Sequence, residues 1–171
     1  LLFFIFRDKN YLFYSIHILT FLTWQFSFNG LGYEFFWPNN LYFHLISPFI
    51  FSPLVLLTIL IFTKSFLETK ERTPILDKII ILLEVLCLIE FLLFLTGYIN
   101  SFMIKFANFL NGIVTIVIFV TSIISWIKGY RPARYFAIAW SAFSLGMLYF
   151  NLFMLDIVPY SFFAYYMIQI G

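Results

Sequence analysis

The feature that most constrains the fold of this chain is a series of long apolar runs separated by short charged segments. Residues 106–127 and 136–155 carry no charged side chain, although Lys128, Arg131 and Arg134 crowd together between them. Hydrophobic residues make up 63% of the chain and charged residues 11%, compared with about 45–50% and about 25% in soluble proteins. About 20 helical residues cross a bilayer core of about 30 Å, and a helix satisfies its own backbone groups there. The runs therefore predict an all-α integral membrane protein.

The boundaries of the runs predict a seven-helix transmembrane bundle in one domain, residues 1–171. The predicted spans are residues 1–6 (partial), 11–31, 47–66, 75–99, 106–127, 135–155 and 162–171 (partial). The chain starts inside an apolar run without Met, and we expect its first and last helices to be truncated parts of a longer polypeptide. Pro48 and Pro53 fall in the first two turns of the third span, where proline is tolerated near the start, and Thr73–Pro74 is expected to begin the fourth.

Positive charges are concentrated on one predicted side of the membrane. The loops after the first, third and fifth spans hold nine of the ten Lys and Arg residues, and the tenth is Lys105 on the other side. The nine are Arg7, Lys9, Lys64, Lys70, Arg72, Lys78, Lys128, Arg131 and Arg134. The positive-inside rule predicts that these loops are cytoplasmic.

The stretch KGYRPARY, residues 128–135, is then a short cytoplasmic turn. Its cations Lys128, Arg131 and Arg134 orient the hairpin, and Pro132 favours the first turn of the following helix. In that helix, Ala133 and Ala137 are small residues four positions apart, a spacing that predicts close helix packing.

Three ionisable residues inside the spans are candidate functional residues, because charge at membrane depth is costly. Glu90 is the strongest candidate, either as a structural hydrogen-bonding group or as a ligand-sensing or proton-linked switch. Glu84 lies closer to the predicted cytoplasmic side, where it can reach the interface or an ion partner. His17 can bond a neighbouring helix or act as a titrating switch.

No motif in the sequence points to catalysis or to a bound cofactor. The chain has one cysteine, Cys87, and contains no CxxC, no HExxH and no glycine-rich phosphate loop. His17 and His44 are far apart and have no carboxylate cluster beside them, which is a poor pattern for a metal. We expect no catalytic, cofactor-binding or metal-binding residues in this chain, and no nucleic-acid partner.

Several stretches, in register along nearly the whole chain, resemble the bacterial seven-transmembrane receptors with diverse intracellular signalling modules. They are RDKNYLFYSIHILTFLTWQFSFNGLGYEFFWP, KSFLETKERTPILDK and GYRPARYFAIAWSAFSLGMLYF. The resemblance implies a receptor in the bacterial inner membrane, in contact with the lipid bilayer.

The resemblance also implies domains outside this chain. Such receptors usually carry an extracytoplasmic ligand-binding domain before the first helix and a cytoplasmic cyclase, kinase or phosphatase output domain after the seventh. The transmembrane part itself would transmit the signal without being an enzyme. Output domains of these kinds commonly work as dimers, so the resemblance allows a homodimer. The alternative is a membrane subunit of a transporter or channel, encoded in an organelle, for which inverted repeats with broken helices would be expected.

Overall fold

The computed structural model describes residues 9–97, 99–154 and 157. Within these ranges all regular secondary structure is α-helical. The helices are α1 (Lys9–Phe28), α2 (Leu31–Phe35), α3 (Leu41–Leu67), α4 (Thr69–Arg72), α5 (Pro74–Leu95), α6 (Ser101–Ile127) and α7 (Arg131–Met154). The predicted partial spans 1–6 and 162–171 lie outside the described residues.

Helix α3 begins earlier than the sequence suggested, at Leu41, because Asn40 caps it. The Asn40 side-chain Oδ1 accepts a hydrogen bond of 2.9 Å from the amide of Phe43, as an N-cap residue does. Pro48 and Pro53 therefore lie inside α3 rather than in its first two turns, which corrects their predicted position. The amide that Pro48 lacks would have bonded the carbonyl of His44, and the hydroxyl of Ser47 donates to that carbonyl instead at 3.1 Å.

Two of the other helix ends follow from proline and glycine. Helix α5 begins at Pro74, as expected, because proline suits the first helical position. After α6, the amides of Gly129 and Tyr130 bond the carbonyls of Trp126 and Ser125 at 2.9 and 3.1 Å. This is a Schellman ending, and Gly129 supplies its left-handed residue with a φ of 89°. Helix α7 then starts at Arg131, so Pro132 lies in its first turn as expected, and the helix begins before the predicted span 135–155.

The short helices α2 and α4 lie in segments that the sequence indicated to be loops. Gly30, with a φ of 81°, separates α1 from α2. Glu68 separates α3 from α4 and is the one non-glycine residue with a positive φ, 50°, in the part of the chain that the structure describes. The predicted second span, 11–31, thus corresponds to α1, which ends at Phe28.

The described residues divide into two compact units. The first contains α1, α2, α3 as far as Phe66, and α5 from Ile81. The second contains Leu67–Ile80, which includes α4, together with α6 and α7. Within the second unit, α6 packs along α7 and also touches α4.

Helices α5 and α6 bury several polar residues beside apolar ones and expose many large apolar side chains. On α6 the buried face includes Asn111, Thr115, Thr121, Ser122 and Ser125. Large apolar side chains on the same helix are exposed, among them Phe106, Phe109, Ile116, Phe119 and Ile127. Soluble proteins rarely expose apolar surfaces of this extent, so these faces suit lipid.

Two of the described helices, α3 and α6, are long and apolar enough to cross a membrane. Helix α5 has 22 residues, or about 33 Å at 1.5 Å per residue, which is also sufficient to cross the bilayer core. It differs from α3 and α6 in that it carries four charged residues, Asp77, Lys78, Glu84 and Glu90. The all-α prediction is confirmed for the described ranges.

Candidate functional site: polar contacts among the helices

In the first unit, His17 of α1 is buried against α3. Its Nδ1 lies 3.3 Å from the hydroxyl oxygen of Thr58, within hydrogen-bonding distance. The Thr58 hydroxyl is also 2.9 Å from that of Thr20. Three polar side chains thus join α1 to α3 where the surrounding residues are apolar. This is the interhelical contact that the sequence allowed for His17, whereas a titrating role stays a prediction.

Glu84 has an ion partner in the same unit. Its Oε2 accepts a hydrogen bond of 3.1 Å from Nζ of Lys64, which joins α5 to α3. Both side chains are largely buried, with exposed fractions of 28% for Lys64 and 17% for Glu84. The other carboxylate oxygen of Glu84, Oε1, is buried and has no hydrogen-bond partner among the described residues. The sequence indicated an ion partner for Glu84 but did not identify Lys64.

Glu90 lies on the buried face of α5, which Leu83, Cys87 and Phe94 also form. Only 5% of its surface is exposed. Its Oε2 has no hydrogen-bond partner in the part of the chain that the structure describes. A buried carboxyl oxygen without a partner is unfavourable by about 1–3 kcal/mol, and such groups are retained where they have a role.

The three intramembrane candidates therefore do not share one set of contacts. His17 bonds Thr58, Glu84 pairs with Lys64, and one oxygen of Glu90 has no partner within the described ranges. Among the described residues, no three His, Cys, Asp or Glu side chains come together in a way that could hold a metal ion. The polar contacts instead fix the arrangement of α1, α3 and α5 within the first unit.

The second unit holds a group of residues at the end of the α6–α7 hairpin that we call the Arg72 cluster: Glu68, Arg72, Lys128 and Tyr130. The Arg72 guanidinium lies over the Tyr130 ring, 4.1 Å from its centroid. Its Nε and one terminal nitrogen donate to Oε2 of Glu68 at 2.8 and 2.6 Å. Nζ of Lys128 donates to the backbone carbonyl of Arg72 at 2.7 Å. Arg72 is thus held by both its side chain and its backbone.

In the Arg72 cluster, the free energy gained from the contacts of Arg72 is similar in size to the free-energy cost of the left-handed backbone at Glu68. An exposed cation–π contact stabilises by about 0.5–1 kcal/mol and an exposed ion pair four residues apart in a helix by about 0.3–0.5 kcal/mol. The lysine–carbonyl bond adds about 1 kcal/mol. Against these, the left-handed backbone of Glu68 costs about 1–2 kcal/mol. The observed conformation is therefore favoured by a small margin.

Helix α4 is tied to α5 by a buried hydrogen bond. The Thr69 hydroxyl donates to Oδ1 of Asp77 at 2.5 Å, and Thr69 is fully buried. The amide of Thr73 bonds the carbonyl of Thr69 at 2.8 Å. Helix α4 thereby connects the first turn of α5 with the turn between α6 and α7.

The cations of the KGYRPARY turn have different surroundings. Lys128 bonds Arg72, and the guanidinium of Arg134 lies 4.5 Å from the ring centroid of the adjacent Tyr135. Arg131 is exposed, and its side chain has no hydrogen-bond or ion-pair partner among the described residues. Pro132 is the second residue of α7. The sequence did not predict that Lys128 contacts Arg72. An arginine in one loop and a tyrosine in the facing turn were nevertheless a usable signal for the cation–π contact between Arg72 and Tyr130.

The buried polar and exposed apolar faces of these helices define an integral membrane protein of the all-α class. The family described as 7TM diverse intracellular signalling matches residues 1–171, so the chain belongs to this family of seven-transmembrane signalling proteins. The family that the sequence resembles is thereby confirmed. Comparison with curated proteins gives no match, and comparison with solved structures gives none either.

Proposed function

We propose that residues 1–171 form the seven-helix transmembrane module of a bacterial receptor that couples an extracytoplasmic ligand-binding domain to a cytoplasmic output domain. The family match over the whole chain is the observation that carries this proposal. In it, the chain lies in the bacterial inner membrane, with the loops after the first, third and fifth helices in the cytoplasm. The module transmits the signal, works as a homodimer and has no enzymatic activity of its own.

Transmission requires two packings of the helices that differ by a few kcal/mol, with a ligand that prefers one of them. The described contacts provide physical support for such a balance. A few polar contacts join the helices of the first unit, as between Lys64 and Glu84, and another packing of these helices would exchange them for other contacts. In the second unit, the Arg72 cluster is favoured by a small margin.

The orientation can be tested with accessibility tags in the full-length protein. Tags within residues 68–73 and beside Gly129 should report from the cytoplasm, and a tag beside Asn39 should report from outside. The reason is the uneven distribution of cations among the loops. If the tags beside Gly129 and Asn39 were labelled from the same side, the seven-helix arrangement would be wrong.

Signalling can be tested by replacing the native output domain of the full-length protein with a reporter kinase. The proposal expects extracytoplasmic ligand to change reporter activity. A transporter or channel subunit is the alternative, and Pro48 and Pro53 inside α3 are the observation in its favour, since broken helices occur in transporters. No other described helix has prolines in its interior. Solute flux into vesicles without any change in reporter activity would favour transport.

A further inference from the structure

We propose that the Arg72 cluster is a conformational switch. In the closed state, which the structure shows, Lys128 and Tyr130 hold Arg72 against the α6–α7 turn. In the open state, Arg72 leaves Tyr130, Glu68 returns to an unstrained backbone conformation, and α4 unwinds. This inference rests on the proposed signalling function and names the element in the second unit that would change state.

The strain at Glu68 is the first observation that supports two states. A residue with a side chain at a φ of 50° is unfavourable, and it persists only where surrounding contacts compensate. Arg72 supplies a large share of this compensation through an ion pair, a ring contact and an accepted hydrogen bond, beside the buried bond from Thr69 to Asp77. Loss of Arg72 from its place would therefore remove this share of the compensation and favour release of the strain.

The position of the cluster in the chain is the second observation. Lys128 directly follows α6, and Tyr130 directly precedes α7. Both contacts to Arg72 come from this turn, so a change in the packing of α6 on α7 alters both together. The hydrogen bond from Thr69 to Asp77 joins α4 to the first turn of α5. The cluster thus connects the α6–α7 turn to the start of another helix.

An ordinary solvated loop is the competing explanation, and it predicts no coupling between these residues. A surface ion pair such as that of Glu68 and Arg72 alone contributes little. The switch instead requires Tyr130 and Lys128 to control the opening of α4. Arg131 is a matched control, because it is a cation of the same turn without a described contact.

Hydrogen exchange of the α4 amides measures the opening directly. The amides of Glu71 and Arg72 bond the carbonyl of Glu68, and the amide of Thr73 bonds that of Thr69. Their exchange rate reports the population of the open state. The experiment uses the full chain in lipid nanodiscs, and amides in the middle of α6 report whether the whole protein remains folded.

Tyr130→Leu and Lys128→Met should each accelerate exchange of the α4 amides about two- to fivefold, since each removes one contact to Arg72. Arg131→Gln removes a cation of the same turn without a described contact, so it should exchange at the wild-type rate. Equal rates in Tyr130→Leu, Lys128→Met and the wild type would overturn the switch, as would an equal acceleration by Arg131→Gln. If Tyr130→Leu also loosened α6, Lys128→Met compared with Arg131→Gln would decide.

The strain is tested separately at Glu68. Glu68→Asn and Glu68→Gln both remove the ion pair, but asparagine tolerates the left-handed conformation far better. Exchange should therefore be slower in Glu68→Asn than in Glu68→Gln. Identical rates in the two variants would show that backbone strain does not contribute to opening, which contradicts the proposal.

A final measurement separates this inference from the proposed function. In a full-length protein that responds to ligand, Tyr130→Leu should shift the basal output, and an unchanged output would overturn the signalling role of the switch. A wild-type protein that never responds to ligand would count against the proposed function alone. The exchange measurements do not depend on signalling and test the two states in either case.

Discussion

At the scale of single residues, the charged groups inside the helices differ in what surrounds them. Glu84 has Lys64 within 3.1 Å, whereas Glu90 keeps a buried oxygen without a described partner. In a low-dielectric environment, removal of one member of an ion pair leaves the other as an uncompensated charge, which is more costly than removal of both. The two carboxylates should therefore respond differently to substitution.

For the pair of Lys64 and Glu84, Glu84→Gln should lower the free energy of unfolding by roughly 2 kcal/mol, because Lys64 would keep its charge without a partner. The double variant Lys64→Met with Glu84→Gln should recover most of that loss. Thermal unfolding in detergent measures both. A double variant less stable than either single variant would show that the pair is not the source of the effect.

For Glu90, Glu90→Gln should leave the amount of membrane-inserted protein unchanged and should alter the signalling output. Glutamine keeps the shape and hydrogen-bonding capacity of the side chain but cannot ionise. The measurement is reporter output per inserted molecule over a range of pH and ligand concentrations. Output equal to that of the wild type under all conditions would leave Glu90 a structural role only.

At the scale of helices, backbone chemistry at the ends decides where each one begins and ends. Asn40 caps α3, Pro74 starts α5, and Gly129 follows α6. Gly97 follows α5 with a φ of 74°, and a Cβ atom at that position would overlap the Tyr42 hydroxyl. The left-handed backbone favours glycine at residue 97, and a larger residue would also have to displace the exposed side chain of Tyr42.

We expect Gly97→Ala to lower the free energy of unfolding by about 1–2 kcal/mol, from the left-handed strain together with displacement of Tyr42. Gly112→Ala is the matched control, because Gly112 lies inside α6 and a Cβ atom there would meet nothing within 4 Å. This control should be more stable by about 0.5–1 kcal/mol. Thermal unfolding of both variants measures the two changes in stability. Equal destabilisation by Gly97→Ala and Gly112→Ala would show that the left-handed backbone at residue 97 is not the cause.

The helical elements could be predicted where one residue type fixes the backbone, as Pro74 does. The start of a helix was less predictable where a capping side chain, rather than the apolar run, determines it. Asn40 lies in a polar stretch before the apolar run, so the apolar pattern predicts a later start for α3 and places Pro48 in its first turns, whereas the Asn40 cap starts the helix at Leu41. The sequence predicts a loop where α4 forms, because contacts distant in sequence such as that with Lys128 stabilise this helix.

At the scale of the whole molecule, the distribution of charge among the loops determines the expected orientation. The cations of the KGYRPARY turn contribute to it in different degrees, since Lys128 is used in the Arg72 cluster and Arg131 is not. Anionic lipid headgroups attract each cation near the membrane by about 1 kcal/mol. One cation is therefore dispensable for orientation, but the set is not.

Replacement of Lys128, Arg131 and Arg134 together by glutamine should reduce correct insertion or membrane yield, whereas Arg131→Gln alone should change little. The physical reason is the summed attraction of several cations to the cytoplasmic leaflet. Protease protection of the turn in sealed vesicles measures orientation. Loss of signalling in Arg131→Gln, with insertion and abundance intact, would show that Arg131 takes part in signalling contacts.

The membrane class could be read from the sequence, because apolar runs of this length have few alternatives in water. The candidate site was less predictable. The free-energy cost of an ionisable group at membrane depth, which makes Glu90 and His17 candidates, can be recognised from each residue alone. The partners of His17 and Glu84 depend instead on how α1, α3 and α5 pack. No pattern in the sequence predicted that Thr58 contacts His17 or that Lys64 contacts Glu84.

The hydroxyl groups on the buried face of α6 have a mechanical consequence. Thr115, Thr121 and Ser122 donate to carbonyls of α6 itself, at 2.9, 2.6 and 2.6 Å. On α7, Ala133 and Ala137 are buried and offer no polar side chain. A rotation or translation of α7 along α6 therefore does not require these three hydroxyls to exchange their hydrogen-bond partners.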